Sequence, residues 1–414
     1  MNTDSSPLGS ITRIDTRGGG PDIEAFPLEF SGSGGEFFRV WIVNLLLTIV
    51  TLGFYTPFAR RRTAQYFYSH TLVANSPLEF TAQQRKMVFG FLLLVVIYVA
   101  FKLAAETGQD AAVSLFLLAG AALAPYFWAS AMRFRLGATR WRGVRLQFAA
   151  SWAEVYKASW PVFALALVWI AVVAAFAVLA DAAPASGTAV VRLLPKVPPL
   201  AWLLVVGALI ASVLCLIRLE FNYKSLLVTK AHIGAQAGRW KPAYRDFVRI
   251  WAAALGMFLG GALLFAVLVG LAVGGTLASI SGKPMHVSTI IAFVVGGIAF
   301  IFGLFLISAP ARAYREARMF QLVWNNVGVS TVARFKCKLR TRRFVWLRVM
   351  NMFLTLLTLG FYRPFAMVSE YRMKTESVTL HVKGGLDQLV GQLVRQQGGL
   401  GDALADAVGL DLVG

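Results

Sequence analysis

Six long apolar stretches decide what this chain can become. Residues 87–105, 111–132, 160–180, 198–217, 250–279 and 288–311 carry no charged side chain except Lys102. Each is long enough to cross ~30 Å of hydrocarbon at ~1.5 Å per residue. Lipid offers a backbone no hydrogen-bond partner, so a crossing segment must satisfy its own polar groups as a helix. The chain as a whole has too few charges to coat a soluble protein: 57% of the 414 residues are apolar and 14% charged, and the mean hydropathy is +0.65. The expected fold is an all-α polytopic membrane protein with six transmembrane helices.

The formal net charge of +20, from 40 basic and 20 acidic residues, would on a soluble domain raise the question of nucleic acid. Here topology accounts for it, and no nucleic-acid partner is expected. Loops 60–86, 133–159, 218–249 and 312–348 together carry 28 Lys and Arg, against 4 in loops 102–110, 181–197 and 280–287. The basic set is therefore expected in the cytoplasm, as the inner face of a multi-pass membrane protein. A basic rim also attracts anionic headgroups at about 1 kcal/mol per cation. Arg60, Arg61 and Arg62 are the candidate headgroup contacts, and membrane lipids the expected partners. Protein partners are not legible, and an oligomer is compatible with the sequence. The acidic, Gly- and Pro-punctuated residues 1–25 lack the basic and apolar regions of a signal peptide. They read as a disordered tail before a membrane domain at 26–382. Residues 383–414 read as an amphipathic or flexible tail.

An internal duplication stands out. Residues 44–59, NLLLTIVTLGFYTPFA, match residues 351–366, NMFLTLLTLGFYRPFA, at eleven of sixteen positions. In each copy polar residues fall at helical spacing: Asn44, Thr48, Thr51 and Tyr55, then Asn351, Thr355, Thr358 and Tyr362. Such a stripe either lines a wet path or bonds to neighbouring helices. A weaker repeat places aromatics eleven residues apart: Phe30 and Trp41, Phe80 and Phe91, Trp240 and Trp251, Phe335 and Trp346, with Phe148 and Trp160 one residue off. Segments 66–80, 134–148 and 320–335 alternate like strands around turn candidates at 75–77, at Arg142-Gly143 and at Asn325-Asn326 before Gly328. Small cytoplasmic β-hairpins pairing into one sheet are expected from them.

These repeats constrain topology. The N-terminal PLEF at 27–30 recurs at 77–80, in a loop that the charges place inside. Both ends of the first duplicated segment then lie on one side if segments 41–59 and 348–366 are re-entrant or short membrane pieces. Gly53 with Pro57 and Gly360 with Pro364 would supply the breaks. Full crossing would give eight spans in an inverted-repeat arrangement. Re-entry is the favoured expectation.

The FSGSGGEFFRVWIVN run at 30–44, the TLGFYTPFA segment at 51–59 followed by Arg60, Arg61 and Arg62, the YFYSHT strand at 66–71 and TLGFYRPFA at 358–366 resemble the YjgN family of bacterial inner-membrane proteins. The likeness runs from about residue 26 to about 382 and implies a multi-pass inner-membrane protein. It brings no established activity. Arg342 and Arg343 stand where the first copy has Gly35 and Glu36, so the two halves differ at that point.

No catalytic constellation is visible. His70, His232, His286 and His381 are scattered, with no Cys or Glu at metal-ligand spacing, and phosphate-loop and nucleophile-elbow motifs are missing. No enzyme activity, cofactor or metal is expected. The spans hold no acid or histidine for a proton relay, and Gly256 and Gly260 are spaced for close helix contact. Two roles remain. One is transport or permeation of a small polar solute along the duplicated stripes. The alternative is a membrane-organising or interaction scaffold with a basic lipid-facing cytoplasmic surface.

Overall fold

The computed structural model describes residues 23–181, 199–234, 236–280, 287–329 and 333–383. Both tails, and the segments 182–198 and 281–286, lie outside the described residues. In chain order the elements form five successive β-α-α-β modules. The first is β1 (Ile23–Phe30), α1 (Gly34–Val50), α2 (Thr56–Ser69) and β2 (Thr71–Val73). The second is β3 (Ser76–Phe80), α3 (Gln84–Glu106), α4 (Asp110–Gly137) and β4 (Thr139–Trp141). The third has a divided first helix: β5 (Val144–Phe148), α5 (Trp152–Ala158), α6 (Trp160–Asp181), α7 (Pro199–Thr229) and β6 (Ala231–Ile233). The fourth is β7 (Gln236–Trp240), α8 (Tyr244–Ile280), α9 (Val287–Asn326) and β8 (Val327–Val329). The fifth is β9 (Ala333–Cys337), α10 (Thr341–Leu357), α11 (Arg363–Thr375) and β10 (Val378–Lys383).

Each module enters its helix by the same step. The last strand residue is Phe30, Phe80, Phe148, Trp240 or Cys337, and the helix opens four residues later in all five. Capping explains the break between strand and helix. Ser33 with Glu36 and Ser151 with Glu154 form reciprocal capping boxes, and the Asp246 carboxylate accepts from the Ala243 N–H at 3.2 Å. The residue seven beyond the strand end seats each of three helices with a fully buried phenylalanine, at Phe37, Phe247 and Phe344, and Val155 does so in the third module. Structural equivalence therefore puts Cys337, not Phe335, opposite Phe30, so the aromatic register slips by two residues in the last module. The one-residue offset at Trp160 falls where Ser159 divides α5 from α6.

The chain divides into two compact units, residues 1–84, 139–145 and 233–414 in one and residues 85–138 and 146–232 in the other. The first unit contains an antiparallel run in the order β7-β8-β9-β10-β1-β2-β3-β4, with Val144 and Arg145 of β5 continuing it. The expected hairpins thus do join one sheet. Strand β1 pairs with β10 from Ile23↔Lys383 to Pro27↔Thr379, uniting the two ends of the described chain. Two turns have positive φ at both central residues, Ala74-Asn75 and Arg142-Gly143, the geometry that fits the twist of paired strands. The first lies one residue before its expected place. Asn325 and Asn326 end α9 rather than forming a turn, because the helix continues to the edge of β8.

The same continuation lengthens the spans. Helices α4, α7 and α9 run on past the apolar stretches to Gly137, Thr229 and Asn326, and α8 begins before its own, at Tyr244. Apolar composition marks where lipid ends, and a helix persists beyond that wherever it has something to pack on. On α9 the packing face is Ala313, Ala317, Phe320 and Trp324, at spacings of four, three and four. They meet Leu28, Trp141, Val144, Leu380 and Val382 of the sheet in one core. Among the described residues six helices are long and apolar enough to cross a membrane, in a mostly helical polytopic chain. The close glycine contact lies one residue from its expected place. Gly256 and Gly260 face open space, whereas a side chain at Gly261 would meet Ile307, and one at Gly303 would collide with the Phe265 ring.

In the second unit α6 lies along α7, and polar side chains tie α5 to them. Asn222 Nδ2 donates to the Ala158 carbonyl at 2.8 Å, and the Ser159 and Tyr223 hydroxyls are 2.8 Å apart. The Tyr223 ring stacks on Trp128 at 4.0 Å. Both cysteines are free.

Candidate functional site

The two duplicated segments are helical hairpins that leave the sheet and return to it, α1 with α2 between the paired strands β1 and β2, and α10 with α11 between β9 and β10. Their reversals are nearly superimposable. The Gly53 N–H bonds to the Thr48 carbonyl at 2.7 Å and the Leu52 N–H to that of Ile49 at 3.0 Å. Gly360 and Leu359 repeat this on Thr355 and Leu356, at 2.7 and 3.1 Å. This is a Schellman helix end, in which the residue after the cap adopts the left-handed conformation and is usually glycine. Here that residue is leucine in both copies, with φ of 50° at Leu52 and 51° at Leu359. A Cβ in that region costs about 1–2 kcal/mol. Neither leucine repays this by packing within the protein, since they are 89% and 90% exposed. Ile49, Val50 and Phe54, then Leu357 and Phe361, extend each tip as an exposed apolar cap.

The striped polar residues lie behind these tips. Thr48 and Thr355 hydroxyls donate to the Asn44 and Asn351 carbonyls, both at 2.6 Å. Thr51 and Thr358 donate to Leu47 and Leu354 at 2.7 Å, and each accepts from the backbone of Tyr55 or Tyr362 at 2.9 Å. The threonines thereby close the turn they precede. Tyr55 stacks on Phe58 and Tyr362 on Phe365 in the returning helices, which open with Pro57 and Pro364 in their first turn. Arg60 and Arg62 are exposed on α2, and Arg61 is half-buried.

The hairpins also touch each other. Phe365 packs where Gly34 leaves room and stacks on Phe38 at 5.7 Å. Arg372 donates to the Gly32 carbonyl at 2.6 Å, and the Tyr371 and Thr71 hydroxyls are 2.8 Å apart. Tyr66 donates to the Ser33 carbonyl at 2.8 Å. Its burial, then the Glu36 charge, push its phenol up to about 12.

The copies part company at their asparagines. Asn351 is 3% exposed, and its Nδ2 meets Glu370 Oε1 at 3.1 Å, Ser369 Oγ at 3.0 Å and the Ala366 carbonyl at 3.4 Å. Arg348 pairs with Glu370 and lies 3.5 Å from Glu316, which also pairs with Lys374. In the first copy Trp41, Arg62 and Thr63 occupy the positions of Arg348, Ser369 and Glu370. Asn44, 5% exposed, keeps a 3.5 Å contact to the Ala59 carbonyl, and its Oδ1 has no partner among the described residues. Sequence reading missed this four-charge network because Glu316 belongs to the helical extension of α9, which hydropathy does not mark. Among the described residues no three His, Cys, Asp or Glu side chains gather for a metal.

Burial raises Glu370 above the usual carboxylate range and Glu316 adds to the shift, while Asn351, Arg348 and Lys374 oppose it. The folded state therefore holds this proton at pH values where the unfolded chain has released it. Stability contributed by that proton is complete below the unfolded value and is lost as pH rises through the folded one. Glu370→Gln should flatten the pH profile of thermal unfolding across that interval. Parallel profiles for variant and parent would contradict the assignment.

Residues 25–407 match the family model described as bacterial protein of unknown function, DUF898. The chain is 31% identical over 139 residues to inner membrane protein YjgN of Salmonella typhimurium, covering 33% of this chain and 34% of that one. It is 27% identical over 135 residues to the YjgN protein of Escherichia coli O157:H7, with 33% and 34% covered. For that of Escherichia coli strain K12 the identity is 26% over 130 residues, with 31% and 33% covered. The alignments thus span about a third of the curated relatives' length. No solved structure matches the chain. With the family model covering nearly the whole sequence and six helices fit to cross a bilayer, this chain belongs to the YjgN family, DUF898, of multi-pass bacterial membrane proteins.

Proposed function

We propose that the protein organises the inner membrane, holding its sheet against the anionic cytoplasmic leaflet and wedging two short hairpins into that leaflet from one side. The observation that carries this reading is the pair of leucine tips. A left-handed leucine with no packing partner makes physical sense where its side chain enters lipid. Helices α1 and α10, of 17 residues each, rise about 25 Å, short of a full crossing when their first turns stay with the sheet. From Thr56 to Arg61 the returning helix rises only about 8 Å, so Arg60, Arg61 and Arg62 reach headgroup level when the tip lies in the upper acyl region. The uneven distribution of Lys and Arg, 28 against 4, supports a cytoplasmic sheet and cytoplasmic hairpin bases. A solute path along the stripes is the weaker reading, because the threonine hydroxyls already serve their own helices.

The test attaches an environment-sensitive thiol dye to Leu52→Cys or Leu359→Cys, with Cys215 and Cys337 replaced by alanine. In anionic vesicles both tips should show blue-shifted emission and quenching by acyl-chain spin labels. Water-like emission from both would refute the wedge. Aqueous labelling of cysteines placed instead at Asn44, Thr48, Asn351 and Thr355 would favour permeation.

A further inference from the structure

We infer that the crevice between α8 and α9 is a binding site for one anionic phospholipid. This site lies apart from the duplicated hairpins and does not depend on the wedge reading. A cavity of about 490 Å³ opens between the two helices where the apolar stretch of α9 gives way to its first cation, Arg312. Its two ends differ in chemistry. At one end Leu255, Phe258 and Phe305 present exposed apolar surface over a floor of buried Ala254 and Ala311. At the other, Arg312 bonds to the Ser308 hydroxyl and lies over the Phe305 ring at 4.9 Å, while Arg315 lies over Trp251 at 4.4 Å.

None of the lining residues is acidic, so the polar end has a single sign. The next cavity towards the sheet, of about 310 Å³, is unlike it: Asp246 lines it together with Arg249 and Arg318. Two guanidiniums beside a hydroxyl suit a phosphodiester, since arginine donors match phosphate oxygens. Apolar walls continuous with that head suit the first methylenes of acyl chains, and tryptophan at this depth belongs to the interface. A free phosphate would use the head alone and leave the walls wet. Both helices are long and apolar enough to cross the bilayer, which would let a crevice between them open onto lipid.

The experiment uses the full chain, purified in detergent and stripped of lipid, with retained lipid counted by native mass spectrometry. Phosphatidylglycerol should be retained over phosphatidylcholine. Arg312→Gln with Arg315→Gln should weaken that retention about 30-fold, about fivefold for each cation at the headgroup. Leu255→Trp, at an exposed wall position, keeps both charges and fills the cavity, and it should also lose the lipid. Equal retention of the two lipids overturns the proposal. So does displacement by millimolar inorganic phosphate, or a Leu255→Trp protein that still holds phosphatidylglycerol, because either outcome leaves only attraction to a charged surface.

Discussion

Asn351→Leu is expected to cost about 3 kcal/mol of stability, whereas Asn44→Leu, at the duplicate position, should be neutral or stabilising by about 1 kcal/mol. The opposite signs follow from what each amide touches. Removing the Asn351 side chain, itself 3% exposed, strips a donor from Glu370 Oε1, from Ser369 and from the buried Ala366 carbonyl. Burial already weighs on the Glu370 carboxylate, and losing the amide donor adds to its desolvation penalty, although Arg348 stays on Glu370 and Ser369 on the Ala366 carbonyl. Asn44 instead keeps a buried carbonyl oxygen with no partner and a single long contact, so leucine removes a cost rather than a bond. Thermal unfolding of the two single variants in one detergent measures the contrast. Equal destabilisation would mean that the Asn44 oxygen is hydrogen-bonded after all, as it would be along a hydrated path.

That asymmetry lies beyond the reach of sequence comparison, which scores the two asparagines as the same residue in the same frame. What separates them, Glu316, Arg348, Glu370 and Lys374, comes from three helices, and all four lie outside the duplicated sixteen residues. The spans were legible because a bilayer imposes one requirement, a run of apolar residues, that leaves its mark in composition. The strand-to-helix step was half legible. Aromatics eleven residues apart signalled a repeating unit, but the constant quantity is the four-residue distance from strand end to helix start, kept even where Cys337 replaces the aromatic. Helix ends were misjudged wherever packing on the sheet, rather than lipid, sustains the helix, as along Ala313, Ala317, Phe320 and Trp324. The even spacing of Asn, Thr, Thr and Tyr suggested one helix face, but Tyr55 and Tyr362 follow the reversal and cap the returning helices. The threonine hydroxyls bond to carbonyls of their own helix, a use that periodicity does not distinguish from lining a path.

Leu52→Asp with Leu359→Asp should release both hairpin tips from lipid while leaving the helices folded. An aspartate in place of leucine costs up to about 4 kcal/mol at the bilayer centre, and about half that at the shallow depth expected for a tip. The two changes together then disfavour insertion by about 4 kcal/mol, close to a thousandfold in the inserted population. Because neither leucine packs against the protein, the same double variant should unfold in detergent within about 1 kcal/mol of the parent. Leu52→Gly isolates the backbone term: glycine tolerates φ of 50°, so this change should raise detergent stability by about 1 kcal/mol while weakening insertion. The two measurements therefore move in opposite directions for a wedge. If the leucines served only to end a helix, Leu52→Gly would improve the protein in vesicles as much as in detergent, and spin-label quenching at a dye placed on Phe54→Cys would not change.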